Sequence, residues 1–317
     1  MKYETYPFLN KKISRFILGG SSSYIKKGKD LNSYYDSMYE LGINTFDTAR
    51  GYTNSEAMLG KWLKTKNRED IVIISKCCLP ALGFINRLNP KCIRKDVEKS
   101  ISILGTYIDI LYLHRDDLRQ PVGPIMEELN KLIKEGKVKA LGVSNWRVNR
   151  IDEANKYAKE HGLAGFSVNS PAYSLADMVV DSWKGGAGCV SLQGEKMEGE
   201  RKYLLEHNIP VFPYSSLGRG FFAGRFTHDD PKFKKNLDPN SRKQYYHDIN
   251  IKRLERAEEL AKKKNCTVVQ INFAYLLHQK FNVHPVVAAS TAQRMKQNIE
   301  SLDVELTDEE LKYLQGF

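Results

Sequence analysis

The sequence predicts an α/β fold, a parallel (β/α)8 TIM barrel, and three observations carry that reading. Short β-branched or apolar runs alternate with amphipathic helical segments about eight times along the 317 residues. No break in composition divides the chain, so 1–317 reads as one domain. Several of the runs end in a polar residue, and parallel strands would gather those ends at the C-terminal mouth of a barrel. A doubly wound sheet would share the local pattern, but its Gly-rich phosphate turn after the first strand is missing; Gly218, Gly220 and Gly224 come late and at the wrong spacing.

In order, Arg15 to Leu18 reads as a strand running through Gly19 and Gly20 into a flexible turn of three serines, and Leu31 to Leu41 as an amphipathic helix. Ile43, Thr45 and Phe46 form a strand-like run ending in Asp47. A polar turn carrying Tyr52 follows, then a helix to Leu63 whose start chemistry comes from Asn54 or Ser55 with Glu56. Ile71 to Ser75 is a β-branched run ending at Lys76, Lys91 to Leu104 is helical, and Ile108 to Leu113 is a strand ending at His114. Pro121 to Lys134 is a helix stopped by Gly136, Val138 to Val143 a strand ending in Ser144 and Asn145, and Asn149 to His161 a helix. Phe166 to Asn169 and Ile209 to Tyr214 are short strands. Arg253 to Lys264 and Val268 to His278 are helices, Val286 to Ala289 a strand and Gln293 to Ser301 a helix. Two irregular stretches, Leu175 to Glu200 and Thr227 to Asn250, are long enough to read as functional loops over the mouth.

The formal charge of +11, from 49 Lys and Arg against 38 Asp and Glu, raises nucleic acid, an acidic membrane surface or an anionic ligand as partners. Lysines are dispersed over nearly every helical segment, densest from Lys232 to Lys243, and no basic stripe interleaves with aromatics. That pattern favours a phosphate-bearing small ligand over nucleic acid or membrane. The five cysteines form no CxxC pair, and no His or Cys cluster has metal spacing. There is no apolar run suited to a signal peptide or a membrane span, so the expected location is the cytoplasm. Oligomeric state is left open.

Four strand ends thus carry Asp47, Lys76, His114 and Asn145, with Tyr52 just behind the first. Taken singly, Lys76 is explained as a snorkelling strand-end residue, His114 as a hydrogen-bonded core histidine and Asn145 as a helix cap. Gathered at one mouth they are an acid–base site: a Lys paired with Asp47 is expected to lower the Tyr52 pKa and make the phenol a usable acid, while His114 orients a carbonyl oxygen or passes a proton. A Schiff-base aldolase built on Lys76 is a competing chemistry for a barrel lysine.

The stretches FDTARGYTNSEAMLGKWL, ISKCC, DILYLHRDD, LGVSNW and PVFPYSSLGRGF resemble, in order, the successive motifs of the aldo-keto reductase family. The resemblance covers nearly the whole chain. It implies a (β/α)8 barrel and hydride transfer between a nicotinamide cofactor and a small-molecule aldehyde or ketone, with Asp47, Tyr52, Lys76 and His114 as the catalytic four. It also implies that Ser144 and Asn145 bond the carboxamide, that Tyr214 stacks on the nicotinamide, and that Gly20 and Ser21 back its ribose. Ser215, Leu217 and Arg219 would lie on the pyrophosphate loop, and Arg294, Gln297 and Asn298 on the adenosine phosphate and adenine. Two departures stand out. Asn169 occupies the sixth strand where the family commonly has Gln, and Ala288 to Ser290 lacks the Lys that often holds the 2′-phosphate. NADP(H) is therefore the expected cofactor, with NAD(H) possible, and a lysine from 232 to 243 is an alternative source of the missing charge. The segment WKGGAGCVSLQGEKMEGERKY suggests an added loop over the site, with Trp183 as a candidate substrate contact. A cofactor-sensing or channel-associated subunit with little turnover is the alternative that the resemblance allows.

Overall fold

The computed structural model describes residues 1–21, 31–181, 183 and 188–316. Two of the three serines expected in the first turn, Ser22 and Ser23, and part of the expected loop after Asp181, lie outside them. The sheet is parallel and runs, in chain order, through β3 (Ile17–Gly19), β4 (Thr45–Asp47), β5 (Val72–Cys77), β6 (Ile108–Leu113), β7 (Val138–Ser144) and β8 (Phe166–Ser170), with β9 (Val286–Val287) pairing back onto β3. Helices α1 (Asn32–Glu40), α2 (Ser55–Leu63), α3 (Pro90–Leu104), α4 (Val122–Lys134) and α5 (Val148–Glu160) follow the strands and cover the outside.

The circle closes through residues 209–214, expected as a strand but present as isolated bridges: Asn169 pairs with Val211, and Val211 with Val283. Pro210 and Pro213 explain the difference, since a proline has no N–H to give to a ladder. The remaining amides still serve. Phe212 N donates to Asn169 O at 2.9 Å, and Tyr214 N to Pro171 O at 3.0 Å.

Strand alternation decides what fills the barrel. Ile17, Val72, Ile74, Ile110, Tyr112, Ala140, Val168 and Phe212 form the interior cluster, while Leu18, Phe46, Ile71, Ile73, Leu111, Leu113, Leu141 and Val143 pack outward against the helices. An antiparallel hairpin, β1 (Tyr3–Tyr6) and β2 (Leu9–Ser14), brings Leu9 and Ile13 into the interior cluster at the N-terminal end of the strands and plugs the barrel there. The hairpin is hidden in the sequence, because its inward residues are spaced among Lys11, Lys12 and other polar side chains.

At this closed end Tyr6 Oη meets His284 Nε2 at 2.7 Å, and Ser14 O lies 3.0 Å from His284 Nδ1. Burial, with a smaller push from Arg15, drives the His284 pKa down to about 3. The unfolded chain therefore takes up a proton near pH 6.5 that the folded chain refuses until far lower pH. Stability contributed by the neutral ring is complete above that range and is lost as the pH falls through it, at up to about 1.4 kcal/mol per pH unit. Chemical denaturation at pH 7, 6, 5 and 4 should show a steeper acid loss for the wild type than for His284→Gln; parallel slopes would mean that His284 does not titrate in this way.

The stretch 227–250, expected to be irregular, carries two short helices, α7 (Phe233–Asn236) and α8 (Pro239–Tyr245), after the earlier α6 (Glu198–Glu206). Asp238 caps α8, accepting from Asn240 N and Ser241 N, with Pro239 in the first turn. That Asp-Pro start signal is readable in the sequence. The longer helices α9 (Asp248–Lys263), α10 (Val268–Leu277), α11 (Ala292–Ile299) and α12 (Asp308–Gln315) complete the chain. Among the described residues no helix is long and apolar enough to cross a membrane, and no acidic, His and Cys group could hold a metal.

Candidate active site

The alternation that fills the barrel also aims its mouth. Asp47 pairs in register with Ile74 and shares its inward face; Lys76 lies two residues beyond Ile74, and His114 two beyond Tyr112. Ser144 pairs with Ser170 on the far side of the barrel. Five strands therefore deliver Asp47, Lys76, His114 and the two serines to one end of the barrel.

Asp47 and Lys76 are only 5% and 3% exposed, so neither charge is carried by water. Lys76 Nζ donates to both Asp47 carboxylate oxygens at 2.5 Å and to Thr48 O at 3.0 Å, and Tyr52 is also within its hydrogen-bonding reach, so its three protons are well served. Burial opposes the charge on Lys76, but Asp47 and Tyr52 outweigh it and raise its pKa, so the ammonium stays protonated. A Schiff-base lysine needs the free amine, and this one is both protonated and fully bonded. The ammonium also lies 4.9 Å from the centroid of the half-buried Tyr52 ring, and that ring meets His114 edge-on at 5.6 Å.

The electrostatics depart from the sequence expectation at Tyr52. Lys76 does pull its pKa down, but burial is the larger effect and the net shift is upward. The phenol is consequently protonated throughout the neutral range. His114 moves well below its ordinary value through burial and the nearby charges of Lys76 and Arg115, so its ring is neutral, and its buried Nδ1 has no hydrogen-bond partner. A protonated phenol and a neutral imidazole side by side can both serve an oxygen atom on a bound molecule.

Behind this group, Glu56 does not act as a helix-start residue. Its Oε1 accepts from Ser75 Oγ at 2.8 Å and its Oε2 pairs with Arg50, while Asn54 makes no side-chain cap and Ser55 Oγ bonds Thr48 Oγ1 at 2.8 Å. These contacts anchor α2 to β4 and β5 on either side of Asp47. Gly20 sits tight against the same strand end: a Cβ there would lie 2.7 Å from Asp47 O and closer still to Ser55 Oγ. Its lack of a side chain is what lets β3 approach Asp47. Ser21 is exposed at the edge of the described turn.

On the other wall, Asn145 adopts a left-handed conformation (φ 60°) and becomes a hub, accepting from Tyr214 Oη at 2.6 Å and Val190 N at 3.1 Å while its amide donates to Ser144 Oγ. Ser144 Oγ in turn donates to Ser170 O. The register corrects one expectation. Asn169 pairs with Val143 and Val211, both on the helix-facing side, so it is turned away from the cavity although its amide is buried without partners. Ser170 is the residue of that strand on the cavity side, and its buried Oγ is unpartnered.

Ser215 and Arg219 both have φ of 53° and flank Leu217 in the loop after Tyr214; Arg219 reaches Ser241 Oγ at 3.2 Å and Asp238 at 3.7 Å, tying that loop to α8. Arg294, Gln297 and Asn298 share α11. Arg294 is exposed in its first turn and bonds Ser290 Oγ at 3.0 Å, Gln297 is exposed and Asn298 is buried. These three lie on a separate element from the candidate catalytic cluster.

The family model for the aldo/keto reductase family matches residues 17–317. The chain belongs to that family. Among the relatives of this reductase, the probable aldo-keto reductase 1 of Glycine max is 32% identical over 282 residues, covering 86% of this chain and 75% of that one. A norsolorinic acid reductase of Emericella nidulans is 30% identical over 295 residues, covering 87% and 68%. An aryl-alcohol dehydrogenase of Pestalotiopsis microspora is 29% identical over 298 residues, covering 88% and 70%. The solved structure of a thermostable aldo-keto reductase, Tm1743, with the inhibitor epalrestat superposes with a TM-score of 0.73 at 20% identity, covering 99% of each chain, and bears out the (β/α)8 fold. Family membership makes this aldo-keto reductase an oxidoreductase of carbonyl chemistry, in a family that uses nicotinamide cofactors.

The sequence reading missed Arg115, one residue past His114. The residue is 7% exposed, and its guanidinium donates to Gly188 O at 2.9 Å and lies over the Trp183 ring at 4.6 Å. Trp183 and Gly188 thus pack against Arg115, and Val190 against Asn145, beside the candidate catalytic residues. A groove of about 990 Å³ is lined in part by Asp181, Cys189, Val190 and Arg253, and includes none of Asp47, Tyr52, Lys76 and His114.

Proposed function

We propose that this chain reduces an aldehyde or ketone with NADPH, or less readily NADH, using Tyr52 as the proton donor. The observation that carries the reading is the contact of one buried, fully bonded ammonium, Lys76, with both Asp47 and the Tyr52 ring, beside a neutral His114. A bound nicotinamide would supply the hydride. Tyr52, protonated at neutral pH, gives its proton to the carbonyl oxygen as charge develops there. The fixed charge of Lys76 favours the phenolate left behind, and Asp47 holds that charge in place. His114 presents a neutral ring to the same oxygen and fixes its approach.

The residues present suit a nicotinamide cofactor. Ser170 Oγ is a buried polar group without a partner on the wall opposite Tyr52, close to Ser144, Asn145 and the half-buried Tyr214 ring, a set fit to hold a carboxamide and stack on a flat ring. Gly20 and Ser21 would back the ribose, Ser215, Leu217 and Arg219 would serve the pyrophosphate, and Arg294, Gln297 and Asn298 the adenosine end. The direct test is turnover of aldehydes and ketones with each cofactor in parallel; absence of reduction with both would end this reading.

Cofactor choice rests on Arg294. It is exposed, and 288–290 supplies no second cation, so its contact with a 2′-phosphate should be worth about 1–2 kcal/mol, a preference for NADPH of roughly five- to thirtyfold. Arg294→Met should raise the NADPH dissociation constant by that factor and leave that of NADH nearly unchanged, the difference shrinking with added salt. Equal losses for both cofactors would assign Arg294 to structure or to the adenine.

A further inference from the structure

Arg115 is a buried cation with no countercharge among the described residues. The acids that follow it are committed elsewhere, Asp116 to Arg150 at 3.2 Å and Asp117 to Arg119 at 2.8 Å. Asp181 spends its two oxygens on the amides of Trp183 and Cys189, at 2.9 and 2.7 Å. Among the described residues Arg115 forms no ion pair. Its Nη1 donates to Gly188 O, the Cys189 thiol also lies within hydrogen-bonding reach of the guanidinium, and its Nε is buried without a partner. That leaves the side-on fork of Nε and Nη2, the pair of parallel donors that matches the two oxygens of a carboxylate.

A bare guanidinium in such a place is costly unless something anionic is brought to it. Trp183 stacked on one face fixes the plane of the fork. The charge is also close to the chemistry: it contributes to the depressed pKa of His114 and works to lower that of Tyr52. The net charge of +11 draws anions toward the molecule in the same sense.

Resting on the carbonyl-reductase reading above, we propose that Arg115 is the anchor for a carboxylate on the substrate, so that this enzyme takes oxo acids or aldehydes bearing a carboxylate in preference to neutral carbonyl compounds. The carboxylate would lie in the Nε and Nη2 fork against Trp183, and the carbonyl group would then reach toward Tyr52 and His114. Cofactor phosphates are the other source of an anion for this fork, and the test separates the two.

The experiment compares kcat/KM for three acids, succinic semialdehyde, 2-carboxybenzaldehyde and 4-carboxybenzaldehyde, with that of the methyl ester of each, in wild type, Arg115→Met and Arg115→Lys. At least one acid should be favoured over its ester by about tenfold or more in the wild type. That ratio should collapse toward one in Arg115→Met and be partly kept in Arg115→Lys. Esters reduced as well as acids, or a fall in Arg115→Met that leaves the ratio unchanged, would overturn the proposal while leaving the reductase reading intact; the second result would make Arg115 a loop anchor only. Calorimetric titration with benzoate, benzamide, NADPH and NADH covers variants and wild type without turnover. Benzoate bound about tenfold more weakly by Arg115→Met, with cofactor affinities kept, supports the anchor even if no carbonyl compound is reduced. No benzoate binding to the wild type, or losses confined to the cofactors, overturns it.

Discussion

Tyr52→Phe should lower carbonyl reduction by about two to four decades while leaving cofactor affinity in place, because it removes one proton donor and keeps the ring that packs on His114. Single-turnover absorbance of the reduced cofactor reads the chemical step directly, and a near-wild-type rate in the variant would remove Tyr52 from the mechanism. The raised pKa of the phenol adds a second, signed expectation. Reduction needs the protonated phenol, so an upward shift extends the active range toward alkaline pH. The wild-type rate constant should be flat across neutral pH and fall only well above it. His114, already neutral, should contribute no limb between pH 6 and 8. An inflection in that window that disappears in His114→Gln would show that the imidazole does titrate there.

Lys76→Met should be costly twice over. It leaves Asp47 buried without its cation, a loss of about 3–5 kcal/mol in folding stability, and it removes the positive charge beside Tyr52, for a further loss of about two to four decades in turnover. The double variant Lys76→Met with Asp47→Asn separates these effects. Removing both charges should restore much of the stability, since no lone ion is then buried, but should restore none of the activity. Denaturant midpoints and turnover measured on the same preparations decide it. Recovery of both together would make the pair structural, and loss of neither in the single variant would contradict the burial on which the mechanism rests.

Much of the candidate site could be read from the sequence, for a definite physical reason. A barrel strand is a short apolar run whose end must become polar where it reaches the mouth, so Asp47, Lys76, His114 and Ser144 announce themselves by position alone. What depends on balance or on distant partners could not be read that way. The sign of the Tyr52 shift is set by burial competing with Lys76, and sequence gives the charge but not the depth. Asn169 and Ser170 are adjacent in sequence and opposite in direction, and only strand register says which of them faces inward. Arg115 looks like an ordinary charge in a run of charges until Asp116 and Asp117 are found paired with other arginines. The N-terminal hairpin escaped because a two-stranded plug buries one side only, leaving Lys11 and Lys12 to dominate its composition.

That hairpin has a practical consequence for handling the protein. It seals the barrel at the end where the strands begin, whereas the proposed reactive groups are at the end where they finish, so the first residues and the candidate active-site mouth lie at opposite poles. A linker joined at Met1 therefore leads away from the substrate path. Enzyme coupled to a bead or an electrode through that point presents its open pole to the bulk liquid, and attachment through the lysines of 232–243, near the loop that Arg219 ties down, does not share that geometry.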